Sequence, residues 1–428
     1  MLPSKLFYTL LATSYCGFNH ALSVTLVACD CPPEREEQTH HEAKLHKDLL
    51  CAYNYDFRPV KDHKTTVTVK VRFAIKYISF DSMEETFTLH SWVAMSWKDE
   101  LLYWTPSDYG GINETQMESH EIWSPRMALF NADASLYQSD QIYTTCLLSS
   151  DGRVTCVPHI AYSGICRTSL RSWPYDEQNC TFLFGSWMNT GEQVNFTFYP
   201  NSPIVKDNFQ NGPGWKLLYV LNERLPGKYN CCPNSTYPIL KYTFVLKRLA
   251  AGPAAIVVVP SIVIVLLTLV SLAMDTKDNT RLMLICFSLY GHFMFLTEIG
   301  YEIPKHSADT PIILLFLRDS MVVTLVGIIE TIFLMYLRRR VAPAPDFIVT
   351  VNRLVAKVPG KYVIFTEFDP TDTTDTKDLT GHSSDITAEN PPATVDWIQF
   401  AVILNRLNFM VAVLIYLVLI GTYIPRDN

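Results

Sequence analysis

The sequence predicts a chain of two parts, an N-terminal β-sandwich followed by an all-α bundle of four transmembrane helices. The 428 residues are 48% hydrophobic and only 18% charged, which is typical of a membrane protein with a substantial soluble part. Apolar and polar residues alternate up to about residue 248, and four long apolar stretches follow. The net charge of −7 gives no indication that the chain binds nucleic acid.

Residues 1–22 predict a cleaved signal peptide. They hold one lysine and an apolar run that is too short to cross a membrane, and Ala21 and Ala28 are both suitable cleavage points. Ten of the eleven cysteines lie before residue 250, as do all four glycosylation sequons. Residues 23–249 are therefore predicted to be extracellular, in an oxidising compartment. The predicted glycosylation sites are Asn113, Asn179, Asn195 and Asn234.

The spacing of apolar residues predicts a short helix over 41–50. The segment in which apolar and polar residues alternate begins after this helix. Apolar side chains then recur at every second position from Val67 to Tyr77 and, apart from Ser91, again from Phe87 to Trp97. Such runs, separated by turn residues as far as about Lys247, predict an antiparallel β-sandwich over residues 60–248.

Four stretches after Arg248 are each long enough to cross the roughly 30 Å hydrocarbon core of a bilayer. The second and third also hold charged or titratable residues, which face a bundle interior or water in membrane proteins. The stretches are 251–274, 282–304, 311–337 and 397–424, and those residues are His292, Glu298, Glu302, Arg318, Asp319 and Glu330. The first three define a transmembrane part over 250–337.

Basic residues indicate which side of the membrane is cytoplasmic. Lys277 and Arg281 lie between the first two spans and Arg338–Arg340 follow the third, so both groups fall on one side. Residues 338–396 are then a cytoplasmic segment and the N-terminal domain is extracellular. Within this segment, 345–360 predict a short amphipathic helix at the membrane interface, and the polar stretch 369–390 predicts disorder.

The positions of several cysteines indicate disulfide bonds. Adjacent Cys231 and Cys232 could form a strained ring that stiffens a loop tip, or each could pair with a distant cysteine. Cys146 and Cys156 flank a turn-like SSDGR segment and are expected to staple a hairpin. Near the N-terminus, a disulfide-bonded segment is favoured over a metal site. The residues concerned there are Cys29, Cys31, Cys51, His40, His41 and His46.

The most specific motif is CRTSLRSWPYDEQNC, in which thirteen residues separate Cys166 from Cys180. A disulfide between them would stabilise the chain by roughly 3 kcal/mol on a chain-entropy estimate. This loop, followed by four spans, resembles the pentameric Cys-loop ligand-gated ion channels, and most of all their nicotinic acetylcholine receptor branch. Similar segments extend over nearly all of the chain after the signal peptide, at 41–60, 96–104, 123–133, 184–187 and 396–409. The resemblance implies a pentamer around a central pore.

The resemblance also implies a ligand site between subunits. It identifies the 228–238 segment as a loop that closes over the ligand, shaped by a Cys231–Cys232 bond. Aromatic faces attract ammonium groups, most strongly when several enclose the cation. The implied box consists of Phe130, Trp187, Tyr229 and Tyr237, with Trp97, Thr155 and Val157 from the neighbouring subunit.

The alternative for these aromatic residues is that they fill the sandwich core. The chain also departs from the nicotinic pattern. Phe130 replaces the usual tyrosine, Arg126 stands where an aspartate is common, and Met188 and Asn189 follow Trp187. A ligand pocket is therefore expected, but its ligand is not identified.

The second span is the pore-lining helix by resemblance. Counting without gaps from Pro260 to Pro304 places Arg281 at its basic first position, with Asp278 and Glu302 near the two mouths. Residues that face the pore then follow at spacings of four and three, and five of the six are bulky, so the pore could gate by excluding water. They are Met283, Phe287, Tyr290, Met294, Thr297 and Tyr301. A shifted register would place Glu298 at the outer mouth.

Asp176, Arg248 and the loop around Pro304 are expected at the junction of the two domains. An ion pair at an exposed boundary is weak, so these residues are assigned a coupling role and not a stabilising one.

The predicted function is a neurotransmitter-type receptor channel of the plasma membrane, with a postsynaptic location possible. Its expected partners are four identical subunits, or different ones in a heteropentamer, together with a small amine-like ligand, permeant ions and membrane lipid. No cofactor is expected. The alternative is a receptor that binds ligand but conducts poorly or needs a partner subunit. Enzyme motifs such as HExxH, GxSxG and the P-loop do not occur in the sequence.

Overall fold

The computed structural model describes residues 40–133, 143–200, 203–277, 279–304, 309–357 and 392–423. The predicted signal peptide, Cys29, Cys31, Asp278 and the polar stretch 369–390 lie outside these residues. The described part folds as a β-sandwich followed by apolar helices, so the predicted fold class is confirmed.

The sandwich begins with helix α1 (His41–Leu50), at the predicted position. Twelve strands follow it within the described residues. They are β1 (Val67–Asp81), β2 (Thr86–Lys98), β3 (Glu114–Glu118), β4 (Ala128–Leu129), β5 (Thr145–Ser149), β6 (Arg153–Cys156), β7 (His159–Ile165), β8 (Glu177–Gly185), β9 (Val194–Phe198), β10 (Ile204–Val205), β11 (Trp215–Leu225) and β12 (Ile239–Arg248).

The strands form two sheets. In the larger sheet the order is β10-β1-β2-β6-β5-β3, with β9 also paired to β1 and β7 to β2. The smaller sheet has the order β11-β12-β8-β4. The pairs of β1 with β9 and with β10 are parallel, whereas the others are antiparallel as predicted.

Alternating side chains build the core between the sheets. On β1 the side chains from Val67 to Ile75 are buried at every second position, which is the spacing that one face of a strand requires. Phe73 joins the two sheets, because its ring centroid lies 5.0 Å from that of Phe184 and 4.9 Å from that of Tyr242. The Phe73–Tyr242 pair is an edge-to-face contact, which adds to the stability that burial alone provides.

Five helices make up the rest of the described chain. They are α2 (Ala251–Ala273), α3 (Asn279–Glu302), α4 (Ile312–Arg338), α5 (Asp346–Lys357) and α6 (Pro392–Tyr423). Among the described residues, α2, α3, α4 and the 395–423 part of α6 are long and apolar enough to cross a membrane. Helix α3 begins three residues before the apolar run that predicted it, because its first turn, Asn279-Thr280-Arg281, is polar.

The centre of the bundle is polar. His292 of α3 is fully buried, and its ring nitrogens lie 2.8 Å from the Ser288 carbonyl oxygen and 2.7 Å from Ser320 Oγ. Ser320 Oγ in turn lies 2.9 Å from the Tyr416 hydroxyl, which links α4 to α6. Thr268 of α2 hydrogen-bonds Ser288 at 2.7 Å. These bonds satisfy polar groups that would otherwise be buried without partners.

Candidate functional site

Four aromatic side chains of the predicted box lie on the smaller sheet. Phe130 directly follows β4 and Trp187 follows β8, while Tyr229 and Tyr237 lie in the loop 226–238 between β11 and β12. The Phe130 and Trp187 ring centroids are 5.9 Å apart, and those of Tyr229 and Tyr237 are 5.8 Å apart. Trp187 is 75% exposed and Tyr229 45%, so these two rings are not core residues.

Two glycines permit this arrangement. Gly185 ends β8, and a Cβ there would lie 2.8 Å from the Phe130 ring. Gly227 has a φ of +54°, and a Cβ on it would lie 1.7 Å from the carbonyl oxygen of Tyr237. The Tyr237 amide donates a 2.9 Å hydrogen bond to the Gly227 carbonyl, which closes the base of the loop. Only glycine fits this second position without moving the backbone.

The loop 226–238 is tied to the segment that follows Trp187. Glu192 accepts hydrogen bonds from the Thr236 amide at 3.1 Å and from its hydroxyl at 2.8 Å. The Gly191 amide donates to the Thr236 carbonyl at 2.7 Å. A hydrogen bond from its own amide, followed by those from Thr236 and Thr190, holds the pKa of Glu192 below its ordinary value. The loop therefore has a fixed base and an exposed tip.

The tip carries Cys231 and Cys232. Their sulfur atoms lie 3.0 Å apart in thiol–thiol contact, about 1 Å longer than a disulfide bond. Hydrogen bonding to Cys232 raises the pKa of the Cys231 thiol, and desolvation, followed by the nearby Cys232, raises that of the Tyr237 hydroxyl. The Cys231–Cys232 bond is not formed in this structure and stays a prediction.

The expected contribution of Trp97 to the box needs correction. Trp97 is only 2% exposed and its ring packs against Trp123, with centroids 5.8 Å apart, so it is a core residue. The exposed tryptophan of β2 is Trp92, at 43%. The alternation that predicted the strand could have shown this, because Trp97 shares the core face with Leu89 and Met95.

Trp92 lies on the outside of the larger sheet. Thr155 and Val157, the other two residues predicted to come from the neighbouring subunit, lie on the same side. Thr155 is half-buried and donates a 3.0 Å hydrogen bond to Ser96, while Val157 is exposed. The Trp92 ring centroid lies 5.1 Å from that of His159. This face and the aromatic box belong to different sheets of the chain.

The six predicted pore residues of α3 are all exposed. The five bulky ones range from 47% exposed at Met294 to 73% at Tyr301, and Thr297 is exposed as well. The polar side chains on the opposite side, Arg281 and His292, are fully buried in the bundle. One face of α3 therefore lacks neighbours among the residues that the structure describes.

Arg281 does not point toward that face. Its Nε donates to Thr331 Oγ1 at 3.0 Å, and Nη1 donates to the Met274 carbonyl at 3.0 Å and to Asn405 Oδ1. Glu330 lies 3.4 Å from Nη2 and supplies the opposite charge. The arginine thus connects the start of α3 to α4, α6 and the end of α2.

The Asp176–Arg248 ion pair lies at the domain junction, but it is not exposed as expected. Arg248 donates from Nε and Nη2 to the two carboxylate oxygens at 2.7 and 3.0 Å, and the side chains are only 13% and 1% exposed. Gln178 adds a third hydrogen bond at 2.6 Å, and the guanidinium lies 4.3 Å from the Trp215 ring centroid. A buried, bidentate pair of this kind has a structural role that an exposed one lacks.

The apolar contacts at the junction between the sandwich and the helices were not predicted from the sequence. Leu170 and Trp173, inside the loop closed by Cys166 and Cys180, pack in one buried cluster with side chains of α2, α4 and the end of α3. Those side chains are Val257, Ile299, Ile303 and Leu317. Pro304 is buried directly after this cluster. The disulfide loop thus rests on the ends of the helices.

Two predicted disulfides are formed, Cys146–Cys156 and Cys166–Cys180. Cys51 is also disulfide-bonded, but Cys29 and Cys31 lie outside the described residues. In the described ranges no group of three or more His, Cys, Asp or Glu residues could hold a metal ion. The four predicted glycosylation sites are exposed or half-buried.

Comparison with known proteins agrees with this geometry. Residues 42–250 match the family model of the neurotransmitter-gated ion-channel ligand-binding domain. The chain is 29% identical over 308 residues to bovine neuronal acetylcholine receptor subunit alpha-5, covering 72% of this chain and 63% of the relative. It is 30% identical over 307 residues to rat neuronal acetylcholine receptor subunit beta-3, covering 70% and 64%.

The described chain combines a β-sandwich that holds a disulfide loop with four helices long and apolar enough to cross a membrane. Residues 42–250 therefore belong to the neurotransmitter-gated ion-channel ligand-binding domain family, and the chain as a whole is similar to nicotinic acetylcholine receptor subunits. It spans somewhat less than two thirds of the length of the relatives named above.

Proposed function

We propose that the chain is a subunit of a ligand-gated ion channel in the plasma membrane. A small amine-like ligand binds between subunits, in a box built from Phe130, Trp187, Tyr229 and Tyr237, and closes the loop 226–238. Closure shifts an equilibrium between closed and open arrangements of the α3 helices. The simplest assembly is a homopentamer, and a heteropentamer uses the same surfaces.

The uncovered face of α3 is the observation that carries this proposal. It holds hydroxyl groups at Tyr290, Thr297 and Tyr301, with the exposed carboxylate of Glu298 next to them. Polar groups at membrane depth face protein or water and not lipid. Among the four spans, α3 also has the lowest mean hydropathy, 1.6 against 2.2 to 2.9 for the others. A helix with these properties is suited to line a pore.

Charges near this helix favour cations weakly. Glu298 and Glu302 are exposed at its C-terminal end, which is the outer end in the predicted orientation. The positive charge of Arg281 at the other end is buried and paired with Glu330, so it does not oppose cation entry directly. Rings of carboxylates at a pore mouth raise the local concentration of cations.

A second candidate function follows from the bulk of the same face. Phe287, Tyr290 and Met294 occupy successive turns, and a ring of such side chains could close a pore by dewetting. A receptor that binds ligand but conducts poorly, or that needs a partner subunit, would have this composition.

Voltage-clamp recording from cells that express the chain distinguishes the two candidates. We expect a panel of small amines to evoke current, and Tyr290→Ala to increase it because a bulky ring is removed from the pore. Phe293→Ala is the matched control, since Phe293 is an exposed aromatic on α3 outside the pore stripe. Surface labelling verifies that each variant reaches the membrane.

The reversal potential of that current tests whether the pore selects cations over anions. We expect the reversal potential to change with the cation gradient. Current only in Tyr290→Ala would favour the poorly conducting receptor. Silence of both proteins at the surface would favour a receptor that needs a partner subunit, and equal effects of Tyr290→Ala and Phe293→Ala would contradict the proposed pore.

A further inference from the structure

We propose that the ligand carries an anionic group beside its amine, and that Arg126 binds this group. The inference rests on the proposed function, because it specifies the ligand of the same aromatic site. A cavity of about 890 Å³ opens next to Trp187, and Arg126 lies in its wall together with Met188 and Asn189. Of the four aromatic box residues only Trp187 lines this cavity, so a ligand whose ammonium lies on its ring shares the cavity with the arginine.

The cavity is positively charged in a protein that is negative overall. Its walls hold two guanidinium groups, Arg58 and Arg126, against one carboxylate, Asp56, whereas the whole chain carries a net charge of −7. His120 is the remaining titratable nitrogen base in the lining. Excess positive charge in a concave surface attracts anions.

The two arginines differ in what they bind. Arg58 is committed to the fold, because its guanidinium donates to the carbonyl oxygens of His63, Thr65 and Gln193 at 2.6 to 3.1 Å. Arg126 is exposed and makes no hydrogen bond or ion pair with any residue in the part of the chain described here. Its five N–H donors are available to a ligand.

This charge determines which amines suit the site. A guanidinium near the aromatic box repels a ligand that is only a cation, so a simple monoamine pays an electrostatic penalty. A carboxylate matches the planar fork of the guanidinium and can accept two parallel hydrogen bonds from it. The geometry therefore points to zwitterionic amines with a carboxylate, such as amino acids and their N-methylated forms.

Matched ligand pairs test the inference on the purified full-length protein. Choline and trimethylglycine share a trimethylammonium group and differ in an alcohol against a carboxylate, and 4-aminobutanol and 4-aminobutanoate form a longer pair. Binding is followed by quenching of tryptophan fluorescence. In at least one pair we expect the carboxylate to bind about tenfold more tightly or better.

Substitutions assign that preference to Arg126. Arg126→Gln should bring the ratio close to one, and Arg126→Lys should keep part of it because the charge remains. Arg167→Gln is the matched control, since Arg167 is an exposed arginine outside the cavity. This control should leave the ratio unchanged.

The outcomes separate this inference from the proposed function. If the alcohol members bind as tightly as the carboxylates, or if the preference survives Arg126→Gln, the inference is wrong although the aromatic site exists. If no member of either pair binds and Trp187→Ala changes nothing, the proposed site is wrong and the inference falls with it.

Discussion

At the scale of single residues, burial decides what a charged group does. Asp176 and Arg248 form an ion pair that is almost closed to solvent, whereas Lys247 and Glu177, each one residue away, pair at 3.2 Å in the open. Removing one partner of a buried pair leaves an uncompensated charge, whereas an exposed pair contributes little. Two neighbouring lysine and arginine side chains are thus expected to differ greatly in their effect on stability.

Substituting these two residues tests that expectation. Arg248→Ala should lower the free energy of unfolding by about 3–5 kcal/mol and reduce the amount of protein at the cell surface. Lys247→Ala should cost less than about 1 kcal/mol. Thermal unfolding of the purified full-length chain, followed by tryptophan fluorescence, provides the comparison. Equal stability of the two variants would mean that Arg248 has only the coupling role expected from the sequence.

At the scale of elements, the β11–β12 loop combines an anchored base with an exposed tip. Gly227, Tyr237 and Thr236 fix the base through backbone and side-chain hydrogen bonds, and Cys231 and Cys232 shape the tip. A loop of this construction can swing over a ligand as one piece. The two sulfurs need to approach by only about 1 Å to form the vicinal bond.

Mass spectrometry tests whether this bond forms. We expect Cys231 and Cys232 to resist alkylation without reductant and to gain two labels after reduction, since the domain is predicted to lie in an oxidising compartment. The peptide must be deglycosylated first, because Asn234 is a predicted glycosylation site within it. Cys166 and Cys180 are the internal control, as their bond is formed. Two labels on the untreated vicinal pair would contradict the prediction.

At the scale of the whole molecule, much of the architecture followed from the sequence. The alternation of β1 and β2, the four apolar runs and the disulfide loop were enough for the fold class. The position of Trp97 could also have been read from strand parity. The parallel pairing of β9 and β10 with β1 could not, because period-two patterns do not indicate strand direction.

Long-range burial was equally inaccessible from the sequence. The ion pair of Asp176 with Arg248 joins residues 72 positions apart, and Arg281 reaches Asn405 across 124 positions. Neither separation leaves a local pattern. The expected exposure of the first pair was therefore wrong, because neighbours distant in sequence determine burial.

The central claim at this scale is that the uncovered face of α3 meets its copies around a common axis. Cysteine cross-linking tests it without requiring current. In a Cys286→Ser background, Tyr290→Cys should form disulfide-linked dimers on oxidation of intact membranes, because the same position of several subunits would lie near the axis. Val326→Cys, on an exposed part of α4, should not. Dimers from Val326→Cys and none from Tyr290→Cys would contradict the proposed arrangement of the helices.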